Sequence, residues 1–111
     1  MIRHYVLTLT GSAQRLSAAL PDAIVNGPHD LPCRAISLQP FGANAAASYL
    51  GAYDSGAAVS ATLYGVRLEA GAAGVPPAPF ILGEFDGLPM KLSEFAVIGA
   101  NTEKLAVLVV S

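Results

Sequence analysis

Charge is the scarcest ingredient of this sequence. Only 13% of its 111 residues are Asp, Glu, Lys or Arg, against roughly 25% in an ordinary soluble domain. With 53% hydrophobic residues and a mean hydropathy of +0.52, much of the surface must be neutral or apolar. Such surfaces associate, so the composition predicts an oligomer or an assembly component. Six basic residues, Arg3, Arg15, Arg34, Arg67, Lys91 and Lys104, are scattered within a net charge of −2. They form no basic cluster of the kind that displaces counterions from nucleic acid.

Long apolar runs are missing as well. The longest are strand-sized, short of the roughly 18 to 20 residues of a spanning helix, so no membrane partner is expected. Met1 leads through Ile2, Arg3 and His4 into an alternating segment, with no block resembling a secretion signal. Synthesis in a cytoplasm is the expectation. Tryptophan is absent and cysteine occurs once, at Cys33, which excludes an intrachain disulfide. No Cys/His set has zinc spacing.

Short β-strands are plentiful. IRHYVLTLT, Ile2 to Thr10, alternates with Tyr5, Leu7 and Leu9 on one side. SAQRLSAAL carries Leu16 and Leu20 at helical spacing behind Ser12, yet also alternates, and reads as a strand with a helical alternative. Pro21 to Pro32 is a loop by its Pro, Asn, Gly and Asp content. CRAISLQP alternates Arg34, Ile36 and Leu38 against Cys33, Ala35, Ser37 and Gln39. AASYLGA puts Tyr49 and Leu50 on opposite faces. AAVSATLYGVRLEAG predicts one long strand or two short ones broken at Gly65, with Val59, Ala61 and Leu63 on one face. Gly71 to Pro79 is a connection, PFILG a strand, and Glu84 to Pro89 a turn-rich passage. FAVIG, Ala100-Asn101-Thr102 and KLAVLVV read as a hairpin. Its last strand is apolar on both faces, so it is central or covered by a partner. The expectation is one all-β domain over residues 1–111, an antiparallel β-sandwich or jelly roll of about seven to nine short strands.

No residue set nominates itself for chemistry. Cys33 is the only candidate thiol nucleophile, with His4 and His29 the only imidazole bases, and no family signature surrounds them. They read as a packed small residue, a strand residue and a loop residue. The carboxylates Asp22, Asp30, Asp54, Glu69, Glu84, Asp86, Glu94 and Glu103 fall mostly at turns and strand ends and nominate no acid/base pair. Glu84 and Asp86 lack the dense Asp/Asn/Gly loop of a calcium site. Gly71-Ala72-Ala73-Gly74 lacks the lysine and helix of a phosphate loop. Tyr49, Tyr53, Tyr64, Phe80 and Phe85 offer a sugar platform or, more simply, core and contact anchors. The expectation is no catalytic, cofactor or metal site.

Four patterns stand in order along the chain. They are Pro32-Cys33-Arg34; Asn44 followed by Tyr49 and Gly51; Gly65-Val66-Arg67-Leu68-Glu69-Ala70-Gly71; and Phe95 to Gly99 followed by Leu105 to Val110. Over about two thirds of its length the sequence resembles small structural proteins of tailed-bacteriophage virions. That resemblance implies a β-sandwich decoration or cement protein on the capsid surface. Its expected partners are the major capsid protein and further copies of itself, as a trimer at threefold lattice positions. The alternatives are a carbohydrate- or receptor-binding module or accessory subunit of a tail or fibre and, last, an enzyme built on Cys33.

Overall fold

The computed structural model describes residues 2–19, 32–53, 58–72, 74–83 and 90–110. Ten strands run through them: β1 Ile2–Thr8, β2 Gln14–Arg15, β3 Pro32–Cys33, β4 Ala35–Pro40, β5 Ser48–Ala52, β6 Val66–Leu68, β7 Phe80–Gly83, β8 Met90–Lys91, β9 Phe95–Ile98 and β10 Lys104–Val110. A helical turn α1, Leu16–Ala19, follows β2, and a 3-10 turn, Leu92–Glu94, precedes β9. The strands form two antiparallel four-stranded sheets, ordered β1-β10-β4-β7 and β2-β9-β5-β6, with a short β3–β8 ladder beside them. This is the expected small antiparallel β-sandwich.

Alternation explains the layering. In β10 the side chains of Leu105, Val107 and Val109 are buried, while Lys104 and Leu108 are exposed. Ile36 and Leu38 of β4 point the same way as Leu7 of β1. From the second sheet Leu50, Leu68 and Val97 meet them, and Leu9, Leu16 and Leu92 complete the core. Leu16 lies on α1, which packs on the 3-10 turn and on β9. The segment that alternates like a strand and also carries helical spacing is therefore both: two residues of strand, then one turn of helix that carries Leu16 into the core.

The terminal hairpin is corrected. β9 pairs with β5 and β2, whereas β10 pairs with β1 and β4, so the chain crosses from one sheet to the other between them. The turn itself belongs to the first sheet. Leu9 donates its N–H to the Glu103 carbonyl at 2.8 Å and accepts from Thr102 N–H at 2.8 Å, with Thr102 left-handed at φ 70°. Departure from the second sheet occurs at Gly99, where a Cβ would collide with the Leu9 side chain and stand 3.0 Å from Ser48 Cβ. β10 lies between β1 and β4 in the first sheet, the central placement that the sequence offers as one of two explanations for its apolarity.

A second correction concerns residues 58–65, expected as strand. Only Val66–Leu68 pairs. Upstream, Ser60 closes a tight turn: its N–H bonds the Leu63 carbonyl at 2.8 Å, and its Oγ accepts from Thr62 and Leu63 N–H at 3.2 and 3.1 Å. A serine that bonds its own backbone competes with strand pairing. The expected loops at Pro21 to Leu31 and Glu84 to Pro89 lie outside the described residues, while Pro32 opens β3.

Candidate interaction face

The two sheets treat their outer faces differently. Over the second sheet the chain lays its own cover. Val59 is buried above Gly51, where a Cβ would stand 3.1 Å from a Val59 methyl carbon; the missing side chain is what lets the cover sit down. Tyr64 packs its ring on Tyr49 with centroids 4.9 Å apart, and Gly65 N–H reaches the Leu50 carbonyl at 2.9 Å. The Arg15 guanidinium lies 3.6 Å from the Tyr53 ring centroid, a cation–π contact. Ala96, next to Gly51 in the sheet, is buried beneath.

Among the described residues the first sheet has no comparable cover on its outer face, apart from Pro77, whose carbonyl accepts from Gln39 Nε2 at 2.7 Å. Registration places Ile2, Val110, Ala35 and Gly83 in one cross-strand row, His4, Leu108, Ser37 and Ile81 in the next, and Val6, Ala106 and Gln39 in a third. Ile2 is 69% exposed, Val6 55%, Leu108 40% and Ile81 67%. Lys104, opposite Thr8 at one end of the face, carries a charge. The three rows otherwise consist of aliphatic and small residues with Ser37, Gln39 and His4 among them. A solvated sheet face alternates polar against the buried side; this one does not, which is why β10 reads as apolar on both faces.

The residues weighed for chemistry are dispersed. Cys33 is buried in the core, opposite Met90 of β8. His4 sits on the outer face of the first sheet. Glu69 pairs with Arg67 at 2.7 Å on the surface, and Glu94 is exposed. Glu103 is occupied structurally: its carboxylate accepts the Ala45 N–H and, at 3.2 Å, the Ala46 N–H. Asp22, His29, Asp30, Asp54, Glu84, Phe85 and Asp86 lie outside the described residues. Among the described residues no three His, Cys, Asp or Glu side chains gather as metal ligands, and no helix is long and apolar enough to cross a membrane.

Two concavities accompany the cover. One, about 230 Å³, lies between Gly51, Val59, Leu63, Tyr64 and Gly65. The other, about 340 Å³, opens at the sandwich mouth between β6 and β7, where Leu50, Val66, Phe80, Leu82 and Phe95 form an apolar wall with Glu94 on it. Phe80 is a core-edge residue here rather than part of a tyrosine platform.

Comparison with protein-family models, with curated proteins and with solved structures finds no match.

Proposed function

We propose that this chain is a non-enzymatic structural subunit of a tailed-phage virion, a decoration or cement protein bound to the capsid exterior after synthesis in the host cytoplasm. The observation that carries the reading is the outer face of the first sheet, where Ile2, Val6, Leu108 and Ile81 stand in solvent across three nearly uncharged rows. An apolar area of that continuity on a small domain marks a surface that another protein covers. The resemblance of the sequence patterns to virion proteins supports the major capsid protein, together with neighbouring copies of this chain, as that partner. Many copies that bind only the assembled shell stabilise it by mass action.

The test is co-sedimentation of the purified protein with empty capsids of the same phage, with the thermal stability of the shell measured alongside. Saturable binding and a raised melting temperature are expected, both lost in Val6→Lys. Failure to co-sediment at saturating concentration refutes the reading.

A second reading, a carbohydrate- or receptor-binding module of a tail or fibre, rests on the Tyr49–Tyr64 ring pair beside the 230 Å³ hollow. Glycan binding abolished by Tyr64→Ala in a protein that ignores capsids would favour it over the first.

A further inference from the structure

We infer that, free in solution, the outer face of the first sheet is occupied by a second copy of the same chain, in a two-fold pair whose axis runs parallel to the strands between β10 and β4. The inference stands on the face itself and does not depend on the virion reading.

Self-complementarity is the first argument. A face-to-face pair of sheets needs its two-fold axis in the plane of contact, and an isologous contact must satisfy the same patch twice. On this face bulk is distributed unevenly: β10 offers Leu108 and Val110, and neighbouring β4 offers Ala35 and Ser37 in the same rows. An axis between these strands lays β10 of each copy over β4 of the other. Leu108 then enters the space above Ser37, large against small, as interdigitating layers require. The same operation sets β1 over β7, with Ile2 over Gly83 and His4 over Ile81, so that Ile2 and Val6 flank Ile81 along the strand rather than lying on it. Aligned sheets of this kind pack about 10 Å apart.

Charge is the second, and it sets a limit. The central rows carry no charged residue, but Lys104 lies at one end of the face, and an axis parallel to the strands brings the two copies' Lys104 to that same end, where their repulsion weakens the pair and is screened by salt. Area is the third. Strands of seven, seven, six and four residues, at about 3.3 Å per residue and about 4.8 Å apart, cover roughly 380 Å² per copy in flat projection. Side-chain relief raises the accessible area above that projection. With β10 over β4 and the four-residue β7 under only part of β1, the overlay covers roughly 630 Å² for the pair in flat projection, short of the roughly 1,000 Å² at which a specific contact becomes stable, which places the pair in the weak, transient class.

Sedimentation velocity from about 1 to 200 µM, a range that brackets micromolar association, reads this directly. The expected mass rises from 11.3 kDa to twice that value. Leu108→Asp is expected to raise the dissociation constant at least about a hundredfold by burying an unpaired carboxylate. Val6→Lys, on the edge strand, does the same should Leu108→Asp fail to fold by circular dichroism. Thr62→Lys, in the cover of the other sheet, leaves the dimer intact. A monomer at every concentration, or a dimer that survives both face variants, overturns the inference. A mass of three times 11.3 kDa also overturns it while leaving the virion role standing, and a dimer that ignores capsids removes the virion role alone.

Discussion

Asn44 holds the long loop between β4 and β5 to the start of β10, and its removal is expected to cost about 2 kcal/mol. Its side chain behaves as an extra strand residue: Nδ2 donates to the Lys104 carbonyl at 2.8 Å and Oδ1 accepts the Lys104 N–H at 3.1 Å. The residue is 8% exposed, so water replaces these partners poorly. Each bond is worth about 0.5 to 1.5 kcal/mol net. Asn44→Ala loses both, but the two Lys104 groups fare differently. The carbonyl still accepts Phe41 N–H at 3.1 Å, whereas the N–H loses its acceptor. One orphan rather than two keeps the total near 2 kcal/mol, a drop of about 8 °C in melting temperature for a domain of this size. Urea unfolding at constant slope, with calorimetry, measures it. Asn44→Asp separates the two bonds. Near neutral pH its carboxylate keeps the Lys104 N–H and faces the carbonyl with no donor. That loss of one bond makes Asn44→Asp less stable than the native protein in the same assay. A loss under about 0.5 kcal/mol in Asn44→Ala, below the usual worth of even one such bond, would refute the clamp.

Three further outcomes test the packing. Gly99→Ala, whose new methyl meets the Leu9 side chain and Ser48 Cβ, is expected to destabilise by about 1 to 3 kcal/mol in the same unfolding assay; an unchanged midpoint means the crossing is looser than described. Ser48→Ala is expected to be neutral or stabilising by about 1 kcal/mol, because Ser48 Oγ is buried with no hydrogen-bond partner, and a clear loss would reveal a partner for that hydroxyl. Val59→Asp is expected to lift the cover off Gly51 and Ala96, with a loss of about 2 to 4 kcal/mol and faster amide exchange at Gly65, whose N–H reaches the Leu50 carbonyl; exchange no faster than in the native protein would show that Val59 does not hold the cover.

Strands were legible wherever one face is buried, because a period of two then writes burial into the sequence. IRHYVLT and AISLQP carry it. Pairing was not. FAVIG and KLAVLVV flank a four-residue turn with a left-handed Thr102, which local chemistry equally allows in a hairpin. The decision is made elsewhere, by Leu9 taking the turn's hydrogen bonds and by Gly99 admitting the Leu9 side chain, neither of which is a neighbour in sequence. The cover shows the same limit: Val59, Ala61 and Leu63 alternate, but Ser60 spends its hydroxyl on the local backbone, and only the contact with Gly51 reveals why.

The double apolarity of β10 had two explanations in the sequence, a central strand or a partner on the second face, and the fold separates them. Central placement between β1 and β4 satisfies the backbone of β10 at both edges. It does nothing for Leu108, whose side chain points away from the core. Nor does it account for Ile2 and Val6 on β1 or Ile81 on β7, which are exposed on the same side. Val59 and Tyr64 fold over one sheet and nothing comparable among the described residues lies over the other, and under the proposed function the second cover comes from a partner. Low charge is then the expected companion of that arrangement, because a charged residue in the middle of such a face would be desolvated each time the partner docks.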